Sequence, residues 1–301
     1  MPGFRTGPAH VRVPATSANL GPGFDALGLA LSLHDDVVAR VVASGLCVEV
    51  EGEGVDRLPR TEQHLVVRAM RAAFEVLGGQ PPGLRVSCRN RVPHDRGLGS
   101  SAAAIVSGLV AARALVADGD RMFDDAALLV LATELEGHPD NVAACLLGGL
   151  TVAWQEADGA RAVSMRPADT LRPVALVPDT RSSTVTARGA LPDTVPHADA
   201  AWNAGRAALL VHALTRDPRL LLSATGDRLH QPYRAPGIPA SAQLVHGLRL
   251  DRIPAVVSGA GPTVLAFPEP GVDLSRHIGP GWKVLQLTVD NRGAVLLPSV
   301  K

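Results

Sequence analysis

At 301 residues, 46% hydrophobic and 19% charged, the chain has a globular composition and the length of two domains, since single cores rarely grow past roughly 250–300 residues. Lys and Arg (29) balance Asp and Glu (29), which excludes bulk attraction to nucleic acid or membrane, and 3% aromatics exclude a stacking platform for single strands. No apolar run reaches the ~20 residues of a membrane helix. The opening residues lack the apolar core of a secretory signal. Cys47, Cys88 and Cys145 match no zinc or redox spacing. The expectation is a cytoplasmic protein with buried thiols and neither nucleic-acid nor membrane partners.

In chain order, Val11 and Val13 predict a short strand ending at Pro14, and Gly21, Gly23 and Gly28 mark a close-approach loop after it. Residues 37–42 and 46–51 predict a β-hairpin with Ser44 and Gly45 at its turn. Leu65, Val66, Met70, Phe74 and Leu77 have helical spacing over residues 61–77, with Gly78 and Gly79 as the stop. Leu84, Val86, Cys88 and Val92 predict a half-buried strand, followed by the glycine-rich stretch PHDRGLGSSAAA at residues 93–104. A helix over 101–117 is apolar on most of its surface and so belongs at the centre of the fold.

A further helix over 124–137 leads into HPDN at 138–141. The turn-rich QEADGAR after Trp154 predicts a division into residues 1–157 and 158–301. Beyond it come a strand at 174–177 and a long polar loop over 179–198, whose length points to function. Helices over 200–214, 218–230 and 239–248 follow, with QPYRAPGIP breaking the chain between the last two. Strands at 255–257 and 263–267 flank SGAGP, and 284–289 predicts the last strand. Strands and helices mix without regular alternation, so the fold class is α+β.

The stretch at 93–104 runs from a strand directly into a helix. Gly97 and Gly99 permit turns and approaches that a Cβ forbids. The first N–H groups of the following helix have no internal partner and carry partial positive charge, which makes the loop a cradle for a phosphate chain. GLGSSA also fits the dinucleotide fingerprint, and Asp118 falls about 20 residues on, where a ribose-binding acid would stand. Helical periodicity runs almost to Asp118, however, and leaves no second strand to present it. No GK[ST] closes a P-loop, and the protein-kinase HRD and DFG signatures are absent. Taken alone, the loop would leave room for a second reading, a turn that merely lets helix and sheet pack.

It does not stand alone. VPATSANLGPGFDALGLAL, VPHDRGLGSSAAA, ELEGHPDNVAACLLGG, LHQPYRAP and VVSGAGPTVLAF together resemble the GHMP small-molecule kinases, and within them the branch whose acceptor is L-homoserine. The resemblance runs from Val11 to Phe267. It implies a two-domain GHMP architecture, with an ATP-binding α+β domain, a left-handed β-α-β connection and a C-terminal ferredoxin-like α/β sandwich. It also implies ATP as co-substrate, Mg²⁺, a small-molecule acceptor, a role in threonine formation and a homodimer.

On these residues, the resemblance implies that Pro93, His94, Asp95, Arg96, Gly97, Leu98, Gly99, Ser100, Ser101, Ala102 and Ala103 form the nucleotide loop. Ser101 and a carboxylate would hold the metal. Glu134 and Glu136 lie two apart on a helix and face different ways, so only one can serve, and aligning ELEG selects Glu136. Arg188 and Arg234 would hold the substrate carboxylate, with Thr184 nearby. Asn19 and Asp25 suit its amino end, and His138 and Asn141 its hydroxyl. Asn141, Arg188 and Asp140 would be catalytic. Because phosphoryl transfer depends chiefly on positioning and charge, no side chain is expected to be an obligate base; Asp140 is the candidate if there is one, and otherwise orients Asn141.

Overall fold

The structure is a computed structural model that describes residues 2–298. It contains two sheets. The first is built from β1 (Ala9–Ala18), β2 (Leu27–Val41), β3 (Gly45–Gly52), β4 (Gly83–Asn90), β5 (Leu150–Glu156), β6 (Gly159–Met165) and, from the far end of the chain, β11 (Val295–Leu297). The second holds β7 (Val174–Pro178), β8 (Ala255–Val257), β9 (Val264–Ala266) and β10 (Trp282–Gln286), in the order β10-β7-β9-β8. By position in the chain that order is 4-1-3-2, the ferredoxin-like arrangement.

Helices α1 (Leu65–Val76), α2 (Ser100–Leu115), α3 (Gly119–Met122), α4 (Asp125–Glu136) and α5 (Asp140–Leu147) accompany the first sheet. The second half carries α6 (Thr184–Gly189), α7 (His197–Thr215), α8 (Leu221–Ala224), α9 (Gln231–Arg234) and α10 (Pro239–Leu250).

The strand at residue 11 does not stop at Pro14. It continues to Ala18 through a bulge, where Pro14 pairs with His34 and Ala15 with Leu31. A bulge tolerates the missing proline N–H, because ladder bonding is interrupted there anyway. The expected hairpin over 37–51 does not form either. β4 pairs antiparallel with β2 and parallel with β3, so it lies between them. Both stretches are strands as expected. Their partner is set by the α1 crossover, which carries β4 back into the slot that the hairpin would have closed.

The expected division at residue 157 falls in the turn of the β5–β6 hairpin, which pairs residue by residue from Leu150↔Met165 to Glu156↔Gly159. The chain changes sheet between Met165 and Val174. It then returns, because β11 pairs antiparallel with β1 after the strand expected to be last. That strand lies at 282–286 rather than 284–289. The helix expected over 218–230 is broken into a 3₁₀ turn at Pro218–Leu220 and the short α8. The 231–239 break is itself made of short helical turns, α9 and a 3₁₀ turn at Ala235–Gly237. The long polar loop over 179–198 contains α6, which has no buried residue.

Three cores hold these layers. The largest packs α1, α2, α4 and α5 on the first sheet, around Phe74, Met70, Ile105, Leu109 and Leu128. As its apolar surface predicts, α2 is buried along most of its length. A second core, with Leu29, Leu98, Ala175, Val177, Leu210 and Leu265, fills the junction between the two sheets. A third packs Val174 and Leu176 against Leu244 and Leu248 of α10. Alternate residues of β7 thus enter different cores, and all five are buried. That is why VALVP reads as an unbroken apolar run.

α2 ends without a following strand. Asp118 instead precedes the one-turn α3, so the dinucleotide reading of GLGSSA has no place to put its acid. Cys88 and Cys145 are buried as expected, and Cys47 is only half-buried.

Candidate active site

A cleft of about 540 Å³ lies where the two halves meet. Its floor is the turn into α2. Gly99 precedes the helix in the left-handed region (φ 70°), and no side chain caps the first turn. A Cβ on Gly99 would stand 1.9 Å from Thr16 Oγ1, and one on Gly97 would stand 2.2 Å from the Ser258 carbonyl oxygen. Glycine is therefore required at both positions by close approach as well as by conformation. The loop is tied to both halves of the chain. Thr16 donates its N–H to the Leu98 carbonyl at 3.0 Å. Ser258 Oγ donates to the Gly97 carbonyl at 2.6 Å and lies 2.8 Å from Ser17 Oγ.

Beside the loop, Ser101 Oγ donates to Glu136 Oε1 at 2.6 Å. Burial raises the pKa of Glu136, only partly offset by that bond and by His138. A cation between these oxygens would relieve that burial cost, and one hydroxyl with one carboxylate suits Mg²⁺, which keeps phosphate and water oxygens for its other positions. Glu134 is exposed and lines a different depression, so its neighbour alone meets Ser101.

HPDN caps the opposite wall. Asp140 is 2% exposed, and its Oδ1 accepts from the Asn141 N–H at 2.7 Å, from Asn141 Nδ2 at 3.4 Å and from His138 Nδ1 at 3.1 Å. The bond to Asp140 raises the His138 pKa. Asn141 Oδ1 accepts from Thr16 Oγ1 at 2.8 Å. The Asn141 amide is thus held at both ends, and Asp140 acts as the hub that orients it.

The far wall carries opposed charges. Asp25 and Arg188 pair through two bonds of 2.9 Å. Asn19 accepts from the Asp25 N–H at 3.0 Å and donates to the Gly259 carbonyl at 3.0 Å. Arg234 is 4% exposed and donates to the carbonyls of Ala187 (3.2 Å) and Gly259 (3.3 Å) and to His230 Nδ1 (3.2 Å). Thr184 lines the cleft from the start of α6.

The structure therefore gathers Asn19, Asp25, Asp95, Gly97, Gly99, Ser100, Ser101, Glu136, His138, Asp140, Asn141, Thr184, Arg188 and Arg234 around one cleft. Other members of the nucleotide list point elsewhere. Arg96 donates to the carbonyls of Pro178 (2.8 Å) and Asp179 (2.6 Å), so it fastens the loop to β7 instead of facing the cleft. Leu98 and Ala102 are buried in the junction core and the main core respectively, and Pro93 is also buried.

His94, Asp95, Ser100, Ser101 and Ala103 border a second cavity of about 190 Å³, whose other walls include Leu58, His64, Leu65 and Asn90. His64 is 3% exposed, and among the described residues neither of its ring nitrogens has a hydrogen-bond partner. Burial, and then the neighbouring His94, lowers its pKa and keeps it neutral. Sequence reading assigned no role to His64, Thr16, Arg181, Ser182, Ser183 or Ala260. Thr16 and Ala260 lie inside motifs that carry the family resemblance, and Arg181, Ser182 and Ser183 inside the long polar loop, but only the crossing of distant segments brings them here.

A glycine-loop helix N-terminus facing a hydroxyl–carboxylate pair, in an α+β frame with this strand order, defines a small-molecule kinase of the GHMP type. Residues 64–149 match the family model described as the GHMP kinases N terminal domain. The fold is shared with mevalonate kinase of Leishmania major in complex with R-mevalonate (TM-score 0.71, 14% identity, 97% of this chain and 99% of that one). Similarity to homoserine kinase of Streptomyces avermitilis is 62% identity over 99% of this chain and 98% of the relative. The crystal structure of homoserine kinase from Cytophaga hutchinsonii superposes with a TM-score of 0.82 at 26% identity, covering 99% of both chains. The chain belongs to the homoserine kinase family.

Proposed function

We propose that the chain transfers the γ-phosphoryl group of ATP to the side-chain hydroxyl of L-homoserine, giving ADP and O-phospho-L-homoserine on the route to threonine. The observation that carries this reading is a single cleft that joins a phosphate-cradling helix N-terminus to a wall of opposed charges suited to a zwitterion. The triphosphate lies along Gly97 to Ala102, against the uncapped N–H groups of α2. The base occupies the cavity bordered by His64, His94 and Asn90, which adjoins Ser100 and Ser101. Ser101 and Glu136 hold Mg²⁺, which supplies charge neutralisation for the phosphates when bound.

The acceptor's carboxylate faces Arg188 and Arg234, and its ammonium faces Asp25 and Asn19. Asp25 and Arg188 pair with each other across the cleft wall. A zwitterion replaces that pair charge for charge, whereas an acceptor with one charge leaves one partner unmatched. His138 and Asn141 orient the hydroxyl. In the transfer, the bond from the hydroxyl oxygen to the γ-phosphorus forms as the bond from the γ-phosphorus to the β,γ-bridging oxygen breaks, and the hydroxyl proton leaves with phosphate oxygen or water. A loose transition state asks for alignment and charge more than for a strong base. Asp140, already accepting three hydrogen bonds at one oxygen, fits an orienting role.

No helix among the described residues is long and apolar enough to cross a membrane. A cytoplasmic enzyme that works as a homodimer and divides into two GHMP domains completes the reading. Sedimentation checks the dimer. ADP release measured with homoserine, mevalonate, galactose or no acceptor tests the function: turnover is expected with homoserine alone, and turnover with mevalonate alone would refute the assignment.

A further inference from the structure

Phe24 sits in the opening glycine loop and offers no polar group, yet both cleft arginines converge on its ring. The guanidinium carbon of Arg234 is 5.2 Å from the ring centroid and that of Arg188 is 5.7 Å. The ring in turn stacks on His230, with centroids 5.2 Å apart and planes inclined by 28°. His230 is fully buried. A guanidinium can only donate, so the Arg234 bond makes His230 Nδ1 an acceptor and puts the ring proton on Nε2. That Nε2–H donates to the Gly21 carbonyl at 2.8 Å. Burial pushes the His230 pKa down, which keeps the ring in this neutral form. The loop beneath is fixed as well, because the buried Asn203 of α7 donates Nδ2 to the Pro22 carbonyl at 2.8 Å.

Two guanidinium groups set to receive one carboxylate repel each other. After burial, the charge of Arg188 is the next cause that lowers the Arg234 pKa. Asp25 offsets Arg188, but among the described residues no carboxylate forms an ion pair with Arg234; its partners are two carbonyls and a neutral imidazole. What the two cations share is one aromatic ring, whose π density attracts both. We propose that Phe24, seated on His230, is the positioning residue that holds Arg188 and Arg234 together as a two-pronged carboxylate clamp. This rests on the reading that the two arginines receive the acceptor's carboxylate. The pre-set clamp selects α-amino acid alcohols over alcohols without a carboxylate.

The test compares F24L, with F24M as a second aliphatic replacement, against F24Y, which keeps the π face, each with a thermal melt. Acceptors are L-homoserine and 3-aminopropan-1-ol, the same molecule without its carboxylate. F24L is expected to lower homoserine kcat/KM roughly tenfold, mostly through KM, from the loss of cation–π contacts. F24Y should restore it, and neither change should move the ATP KM. For 3-aminopropan-1-ol the ratio of wild type to F24L should be close to unity. An equal loss on both acceptors would make Phe24 merely structural and overturn the proposal. F24Y as impaired as F24L would overturn it too. The underlying reading fails separately, if Arg234→Ala leaves the homoserine KM unchanged.

Discussion

Gly99→Ala is the sharpest probe of the phosphate cradle, because two separable costs meet at one methyl group. A residue other than glycine at φ 70° is disfavoured by roughly 1–2 kcal/mol. The new Cβ would also stand 1.9 Å from Thr16 Oγ1 and 3.2 Å from Asn141 Oδ1. Thr16 is fully buried and β-branched, so it cannot swing away, and overpacking of this kind costs about 1–3 kcal/mol. If both fall on the loop geometry that receives ATP, kcat/KM for ATP drops by about 30-fold to several thousand-fold, at 1.4 kcal/mol per tenfold.

The two costs can be pulled apart. Thr16→Ala removes the clashing oxygen at the expense of its 2.8 Å bond to Asn141, worth roughly 1 kcal/mol. In G99A/T16A the conformational cost stays and the clash goes, so the double variant should be better than the product of the singles by about 1–3 kcal/mol. The assay is steady-state ADP release with ATP varied, alongside nucleotide affinity by calorimetry for all four proteins. Additivity within about 0.5 kcal/mol, or a G99A enzyme with the parental ATP KM, would refute the reasoning.

Three further outcomes are expected. His64→Leu, which removes both free ring nitrogens from the cavity beside the glycine loop, should raise the ATP KM several-fold and leave the homoserine KM unchanged; the reverse pattern would take the base out of that cavity. Asp140→Asn keeps an oxygen that can accept the Asn141 N–H, so kcat should fall by about tenfold without vanishing; abolished turnover with both substrates still bound would make Asp140 an obligate base. Asp35, 5% exposed, accepts from the N–H groups of Arg91 (2.5 Å) and Val92 (2.9 Å) at the root of the glycine loop, and burial raises its pKa to about 6. A carboxyl whose folded pKa lies above its unfolded value binds the extra proton in the folded state. Its contribution to stability therefore declines as pH rises from about 4 to about 6, by an amount on the order of 3 kcal/mol. Asp35→Asn should flatten that decline in a series of melts across this window. A wild-type and variant difference that does not change with pH would sink the argument.

Local patterns were legible where chemistry acts over a few residues. α4 begins after Asp124, whose carboxylate accepts from the Ala127 N–H at 2.8 Å, and ends at Gly137 in the left-handed region, within the expected bounds of 124–137. Helical geometry left only one of Glu134 and Glu136 able to serve, the family resemblance selected Glu136, and it is Glu136 that bonds to Ser101. Pairing was not legible. The stretches at 37–42 and 46–51 carry good strand patterns, but nothing in them says that β4 will come between. Likewise QEADGAR has the composition of a linker, and a hairpin turn has the same composition for the same reason: both need polar, flexible residues.

By itself, then, the sequence determined many of the elements, the glycine loop and its need for glycine, the depth at which α2 is buried and, through its motifs, the family. Only the tertiary structure decided who meets whom. It turned Arg96 away onto the end of β7, paired Asp25 with Arg188, brought Thr16 under Gly99 and placed both arginines over Phe24. Helix and turn signals arise from interactions a few residues apart and are written locally. The cleft is built from contacts between residues more than a hundred positions apart, such as Thr16 with Asn141 and Asp25 with Arg188, and those are settled by how three cores pack rather than by any stretch of chain.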